Sequence, residues 1–299
     1  MVLVTQRPSA PDRYGPDGYQ YGPRYRGPHP AAVALPVFLA AVLGVVATVF
    51  VALHTPFGQH DDQVAMNALH DSRSAVNAHL VGSLQKVSVV SAGLALAIMI
   101  AVALLRRRFR VALAAIVLVI GANLTTEILK NFVITRPDLG FDPITGGGAA
   151  NTANSLPSGH TTVVFSLVLA AVLVSPRALR WFVTLGGAAV GTLTGLATVI
   201  AGWHRPSDVV AALLVTLAWA ALVSAVVSGT ARDGMRGHSG AFAALLGGGL
   251  AALGVIIYGF GWSGGADASR VIPLTSAVIA AVAAACVGSY ATLVARTSN

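Results

Sequence analysis

The chain has 299 residues, of which 55% are apolar and 10% are charged, and its mean hydropathy is +0.75. So large an apolar fraction excludes a soluble domain, and a single cysteine excludes a disulfide-stabilised scaffold. The net charge of +8 comes from arginines scattered between long apolar segments, which is typical of membrane topology and does not favour a nucleic-acid-binding surface. We therefore expect an integral membrane protein that contacts membrane lipids and no nucleic acid.

Eight apolar segments approach or reach the length needed to cross a bilayer as helices. They lie at 31–53, 87–105, 111–129, 161–175, 181–203, 209–228, 241–260 and 271–294. The sequence thus predicts an all-α polytopic transmembrane bundle in three parts. These are a disordered, Pro- and Gly-rich cytoplasmic tail at 1–30, a six-helix membrane core at 31–228, and two additional helices with a short tail at 229–299.

The distribution of Lys and Arg predicts the orientation, since cytoplasmic loops carry the excess of these residues. With eight spans both termini lie on one side, and 13 of the 19 cations fall there, so that side is predicted to be cytoplasmic. The other six are Arg73, Lys86, Lys130, Arg136, Arg205 and Arg270. Because charges at membrane depth are costly, a cluster among these six is expected to have a function on the extracytoplasmic side.

Three short strings at the outer ends of predicted spans hold the candidate functional residues. They are LKNFVITRP (Lys130 and Arg136), LPSGH (Ser158, Gly159 and His160) and GWHRPSD (His204, Arg205 and Asp208). Lys130 and Arg136 can supply positive charge to phosphoryl oxygens. The backbone N–H groups of Ser158 and Gly159 precede a helix, whose dipole favours an anion at that end. Together these features predict a phosphate-binding site.

The third string also predicts a nucleophile. His204 and Asp208 are four residues apart and can meet on one face of a helix. An aspartate that accepts a hydrogen bond from one imidazole nitrogen leaves the other nitrogen free to attack phosphorus. We therefore expect His204 to be the nucleophile, and a second histidine, His160, to protonate the departing oxygen.

In order, spacing and placement, the three strings resemble the signature motifs of the type 2 phosphatidic acid phosphatase family. These are integral membrane lipid phosphatases related to the vanadium haloperoxidases, and the resemblance covers residues 130–208. It implies that no metal or other cofactor is required. It also implies phosphate binding by Lys130, Arg136, Ser158 and Gly159, acid catalysis by His160, and nucleophilic attack by His204 with Asp208 as its partner.

The sequence departs from the family pattern at two points. The spacing between Lys130 and Arg136 is one residue shorter than usual. The Ser-Arg pair that usually precedes the nucleophile is replaced by Ala197 and Thr198, so one phosphate-binding arginine is missing. Arg205, which follows the predicted nucleophile, is our candidate to take over its contact with phosphate.

The predicted function is hydrolysis of a lipid phosphate or pyrophosphate through a phosphohistidine intermediate on the extracytoplasmic face of the cell membrane. The substrate would be of the polyprenyl pyrophosphate, phosphatidylglycerol phosphate or phosphatidate type. Two alternatives remain open. One is a lipid phosphotransferase that uses the same histidine, and the other is a non-catalytic lipid-binding or transport protein with the same fold.

Two further side-chain roles are predicted near these strings. Glu127 lies one helical turn before Lys130 and is expected to pair with it, the alternative being a polar contact between helices. The histidines and aspartates of 54–83 share no metal-ligand spacing, although apolar residues recur there at helical intervals. We expect them to form the solvated face of a helix on the membrane surface.

Overall fold

The computed structural model describes residues 30–72, 75–84, 89–137, 139, 154–227 and 268–297. Within these ranges the chain is mostly helical and contains no strand, which confirms the predicted all-α class. The predicted span at 241–260 and residues 1–29 of the predicted tail at 1–30 lie outside the described residues.

Nine α-helices are present in the described residues. They are α1 (Pro30–His54), α2 (Pro56–Asp71), α3 (Ala75–Leu84), α4 (Val89–Leu105), α5 (Phe109–Ile128), α6 (Gly159–Val174), α7 (Arg177–Ile200), α8 (Pro206–Val227) and α9 (Ala268–Thr297). A π-helical turn, Leu129–Val133, continues α5. Five helices, namely α1, α5 with its π-turn, α7, α8 and α9, are long and apolar enough to cross a membrane, and α4 and α6 are apolar but shorter. The chain is therefore a multi-pass membrane protein.

Helix α8 lies at the centre of the bundle. It packs against α1, α5, α6 and α9, and two thirds of its apolar window is buried inside the protein. Helix α1 is different, because only 17% of its window is buried and large side chains such as Leu43 and Phe50 are exposed. An apolar helix with exposed apolar side chains is suited to contact with lipid, whereas α8 is held on several sides by protein.

Close packing fixes α7 against both α6 and α8. The sequence predicts a small-residue face at Gly187, Gly191 and Gly195, and the structure confirms it. A Cβ atom at Gly191 would lie 2.8 Å from the Phe165 ring on α6, and one at Gly195 would lie 2.6 Å from Val209 Cγ1 on α8. Such distances leave no room for a side chain, so the glycines allow the helix backbones to approach closely.

The second and third strings are joined by a backbone hydrogen bond, from Ser158 N to Asp208 O at 3.0 Å. The first and second are joined by Asn154, whose amide donates to Lys130 O at 3.0 Å. All three strings therefore meet at one end of the bundle, which we call the motif end and define as residues 130–137, 154–160 and 203–208. The spans position these strings, since α5 ends there and α6 and α8 begin there.

Helix α2 covers the motif end, where it packs against α7, α8 and α9. Its inward face carries Gln59, Asp62, Met66 and Leu69, which recur at helical spacing and are buried. The prediction of a solvated face is therefore wrong for Asp62, which is 9% exposed. Its neighbour Asp61 does face outward, because consecutive residues of a helix point in different directions.

Candidate active site

A buried histidine–aspartate pair lies where α7 passes into α8. His204 Nδ1 is 3.2 Å from Asp208 Oδ2, and both side chains are almost fully buried. Asp208 lies in the first turn of α8, and its backbone N–H donates to Arg205 O at 3.1 Å, so the chain turns directly after His204 and brings the two side chains together. The backbone N–H of His204 donates to Thr198 O at 3.3 Å, so the end of α7 also supports the histidine.

Asp208 is held by further donors. Its Oδ2 atom accepts from Ser155 Oγ at 2.6 Å and from the backbone N–H of Arg205 at 3.0 Å, in addition to the imidazole. Because an ionised carboxylate only accepts hydrogen bonds, the proton of a neutral His204 lies on Nδ1. The lone pair is then on Nε2, the nitrogen that a nucleophile needs. Sequence reasoning missed Ser155, although its hydroxyl lies only two residues before the LPSGH proline.

His160, in the first turn of α6, faces this pair. The ring centroids of His160 and His204 are 6.4 Å apart and the rings are inclined by 63°. Trp203 lies on another side of His160, with ring centroids 5.2 Å apart. The structure thus brings together the two histidines to which the sequence assigns attack and protonation, and the indole of Trp203 limits where the His160 ring can move.

Ser158 caps α6, since its Oγ atom accepts from Thr161 N at 3.3 Å. The prediction that the Ser158 backbone N–H binds an anion is wrong in this structure, because that N–H donates to Asp208 O. Its role is to join the second and third strings. The backbone N–H of Gly159 remains a candidate donor, as the first-turn N–H groups of a helix have no acceptor within it.

Lys130 and Arg136 are half-buried at the motif end, and neither side chain has a hydrogen bond or ion pair among the described residues. The charge of Lys130 acts on His160, and that of Arg136 acts on Asp208. Burial lowers the pKa of Arg136, and repulsion from Arg205 lowers it further. Lys130 is therefore close enough to His160, and Arg136 to Asp208, for their charges to interact.

Glu127 does not form the predicted ion pair with Lys130. Its Oε2 atom accepts from Asn131 Nδ2 at 3.1 Å, because the i, i+4 spacing places Asn131 over Glu127. Its other carboxylate oxygen would lie 3.5 Å from a Cβ atom at Gly159. Glu127 therefore makes a polar contact close to the start of α6, and Lys130 has no ion-pair partner among the described residues.

Asn154 joins two of the strings, and sequence reasoning missed it. Its Nδ2 atom donates to Lys130 O at 3.0 Å and to Ile134 O at 2.8 Å, and its Oδ1 atom accepts from Leu156 N at 3.1 Å. These backbone contacts fix the path of the chain after α5. They position the backbone of the cationic string without contacting its charged groups.

Arg205 is 1% exposed and engaged with protein. Its Nε atom donates to Gln63 Oε1 at 2.9 Å, and Nη1 donates to Ser155 Oγ at 3.3 Å. Thr198, at the position of the missing arginine, is fully buried, and its Oγ1 atom donates to Gly195 O at 2.7 Å. Phosphate binding by Arg205 remains a prediction, and its observed contacts are with Gln63 of α2 and with Ser155.

The comparison with protein families finds one match. Residues 111–232 match the family model described as the PAP2 superfamily. This part of the chain is therefore similar to the PAP2 superfamily. The matched segment runs from α5 to just beyond α8 and contains all three strings, in agreement with the resemblance to type 2 phosphatidic acid phosphatases. No curated protein and no solved structure matches the chain.

Members of the PAP2 superfamily are phosphatases, which supports assignment of the chain as a phosphoric ester hydrolase. The histidine–aspartate pair, the second histidine and both cations fall inside the matched residues 111–232, which we call the PAP2 segment. Helix α2, with Asp62 and Gln63, falls outside it. Among the described residues, no three His, Cys, Asp or Glu side chains are grouped so that they could hold a metal ion.

Proposed function

We propose that the protein is a lipid phosphatase that hydrolyses a lipid phosphate or pyrophosphate through a phosphohistidine intermediate. The observation that carries this proposal is the buried His204–Asp208 pair, which faces His160 at 6.4 Å between ring centroids. Nucleophile, orienting carboxylate and acid are thus available in one place. Lys130 and Arg136 beside them provide the charge that phosphoryl transfer mainly requires.

In the first step, the Nε2 lone pair of His204 attacks phosphorus. A phosphorus–nitrogen bond forms as the bond from phosphorus to the lipid oxygen breaks, and His160 in its protonated form transfers a proton to that oxygen. The imidazole of His204 becomes positively charged, which the carboxylate of Asp208 stabilises through Nδ1–H. The products of this step are a lipid alcohol, or a lipid monophosphate from a pyrophosphate, and the phosphohistidine.

In the second step, water attacks the phosphohistidine. His160, now neutral, accepts a proton from the water as the new phosphorus–oxygen bond forms and the phosphorus–nitrogen bond breaks. Inorganic phosphate leaves, and both histidines return to their starting protonation states. The negative charge that develops on the phosphoryl oxygens is stabilised by Lys130, Arg136 and the Gly159 backbone N–H at the start of α6.

A lipid substrate is supported by the position of these residues at the ends of membrane-spanning helices. The chemistry occurs where α5 ends and α8 begins, so a phosphate at that depth can belong to a molecule whose chains lie between or beside the spans. Polyprenyl pyrophosphate, phosphatidylglycerol phosphate and phosphatidate types all meet this requirement. The distribution of Lys and Arg supports a site on the extracytoplasmic face of the cell membrane. It also supports a cytoplasmic location for both termini.

The decisive experiment measures inorganic phosphate released from these lipids by detergent-purified protein, without added metal. The His204→Ala variant should lose at least about 10³-fold in kcat, because the imidazole that Asp208 orients for attack on phosphorus is lost. His60→Ala is the matched control, since His60 is exposed on α2, and it should retain activity. Acid-labile phosphate trapped on His204 would support the intermediate.

Two outcomes would overturn hydrolysis. Phosphate transferred to an added alcohol without release of free phosphate would indicate a phosphotransferase that uses the same histidine. Lipid binding without turnover at any pH would indicate a binding or transport protein. The first variant to make would then be Thr198→Arg, which restores the usual arginine. Unchanged turnover in His204→Ala would exclude His204 as the nucleophile.

A further inference from the structure

One side chain of α2 caps α8, the helix that carries Asp208. Asp62 Oδ1 accepts from the backbone N–H of Ser207 at 2.9 Å, and Asp62 Oδ2 accepts from Ser207 Oγ at 2.5 Å. Ser207 is in the first turn of α8, directly before Asp208. A carboxylate is favoured at a helix N-terminus because it meets unpaired N–H groups and the positive end of the helix dipole. Asp62 thus acts as an N-terminal cap supplied by another helix.

The next residue of α2 reaches the same carboxylate by a different path. Gln63 Oε1 accepts from Arg205 Nε at 2.9 Å, Arg205 Nη1 donates to Ser155 Oγ at 3.3 Å, and Ser155 Oγ donates to Asp208 Oδ2 at 2.6 Å. Gln63 is itself held, since its Nε2 atom donates to Asn67 Oδ1 at 3.0 Å. A continuous chain of hydrogen bonds therefore connects α2 to Asp208.

Both ends of α2 are hydrogen-bonded to segments at or next to the motif end. Near its start, Gln59 Nε2 donates to Pro137 O at 2.9 Å, immediately after Arg136. Near its end, His70 Nδ1 is 3.1 Å from Ile200 O at the last turn of α7. The helix is thus anchored at two points that do not depend on Asp62 or Gln63, so that those two side chains are presented to the site from a fixed support.

We propose that α2 is a positioning element of the active site, in which Asp62 and Gln63 are positioning residues that fix the orientation of the His204–Asp208 pair. This inference rests on the proposed function, because it takes His204 and Asp208 to be catalytic. The orientation of His204 depends on Asp208 and on the turn 204–208, and α2 holds that turn at Ser207 and at Arg205. The site of this protein is therefore completed by a helix outside the PAP2 segment.

The charges around Asp62 are consistent with a carboxylate that accepts both bonds near neutral pH. Burial raises the pKa of Asp62 to about 6, and the charge of Asp208 raises it as well. The hydrogen bonds from Ser207 and the charge of Arg205 act in the opposite direction. Arg136, on the loop after α5, also faces Asp62 electrostatically. The carboxylate is therefore mostly ionised above pH 7.

Steady-state kinetics of Asp62→Ala provide the first test. We expect kcat to fall about 10- to 100-fold with KM changed less than about threefold, because a misplaced nucleophile slows the chemical step while Lys130 and Arg136 still bind phosphate. Asp61→Ala is the matched control, since Asp61 is the adjacent residue and its side chain is 59% exposed. Equal kcat values for the two variants would overturn the proposal.

A double variant separates positioning from general stabilisation. If Asp62 acts through Ser207, then adding Ser207→Ala to the Asp62→Ala variant should lower its kcat by less than about twofold. Effects that multiply would contradict a shared pathway. Gln63→Ala should also lower kcat, whereas Gln63→Glu keeps an acceptor for Arg205 and should restore at least half of the wild-type value. Should Asp62→Ala fail to fold, Asp62→Asn and Gln63→Ala carry the same test.

A readout that does not need turnover keeps this inference separate from the proposed hydrolysis. Diethyl pyrocarbonate modifies accessible imidazoles, and mass spectrometry resolves His204 from His160 because they lie in different peptides. We expect Asp62→Ala to raise the modification rate of His204 at least about threefold at an unchanged melting temperature, and Asp61→Ala to leave it unchanged. A wild-type protein without phosphatase activity would overturn the function, while unchanged His204 labelling in Asp62→Ala would overturn the positioning role.

Discussion

The histidine side of the motif end, 204–208, and its cationic side, 130–136, are built differently. His204 and Asp208 are buried and hydrogen-bonded to each other, and Asp208 accepts from two further donors. Lys130 and Arg136 are half-buried, and among the described residues their backbone is fixed while their charged groups are not. A nucleophile must be oriented before the substrate binds, whereas a cation can form its hydrogen bonds with the phosphoryl oxygens of the bound substrate. The difference indicates a preorganised nucleophile beside an adaptable phosphate-binding side.

The largest effect that tests this contrast is expected on the histidine side. Asp208→Asn should lower kcat by about 10³- to 10⁴-fold, because an amide that donates to Nδ1 places the imidazole proton on the wrong nitrogen. The KM should change little. The same substitution at exposed Asp61 is the control. An Asp208→Asn enzyme within about threefold of wild type would show that the pair does not orient the nucleophile.

A smaller effect of a different kind is expected on the cationic side. Arg136→Ala should lower kcat/KM by about 10²- to 10³-fold, with a rise in KM, because a charged donor to the phosphoryl oxygens is lost. Arg136→Lys keeps the charge but not the planar fork and should recover part of the loss. Arg110→Ala, at the opposite end of α5, serves as control. If Arg136→Ala lowered kcat alone, the cationic side would be as preorganised as the histidine side.

Ser155 tests how much of the preorganisation comes from its hydroxyl. Ser155→Ala removes a donor to Asp208 and an acceptor for Arg205, and should lower kcat about 10- to 100-fold, since hydrogen bonds to charged groups contribute about 1.5–3 kcal/mol. Ser83→Ala removes an exposed hydroxyl on α3 and should have no effect. A loss as large as that of Asp208→Asn would mean that Ser155 is indispensable for the pair.

The smallest effect concerns stability against pH. The pKa of Asp62 is raised from 3.8 to about 6, so ionisation of its carboxyl lowers the free energy of unfolding. This loss of stability is absent below about pH 4 and complete above about pH 6. Asp62→Asn carries no such charge. The melting temperature of the variant relative to wild type should therefore rise between pH 4 and 7, by roughly 5 °C.

Only the change with pH is diagnostic in that comparison, because any constant offset reflects the lost hydrogen bonds to Ser207. The charged groups that face Asp62, namely Asp208, Arg205 and Arg136, are common to both proteins. Asp61→Asn controls for removal of an aspartate from the same helix, and its melting temperature should follow that of wild type at every pH. Parallel curves for Asp62→Asn and wild type would exclude a raised pKa at Asp62.

The sequence by itself determined the helical class, the described membrane-spanning segments and the residues of the three strings. Apolar segments of spanning length need no tertiary information to be found, and the spacing of His204 and Asp208 is that of one helical turn. The order of the strings in the chain was also enough to find the resemblance to the family whose model matches residues 111–232.

Only the tertiary structure decided which side chains support these residues. Asp62 was predicted to be solvated, Glu127 to pair with Lys130, and Ser158 N–H to bind an anion, and all three predictions were wrong. Two of them depend on where another segment packs: α2 over the start of α8, and Asp208 O against Ser158. The third depends on which neighbour in the same helical segment Glu127 contacts, and the structure shows Asn131. Hydrophobic periodicity acts within one segment, whereas a hydrogen bond between segments depends on their relative placement, which local sequence does not encode.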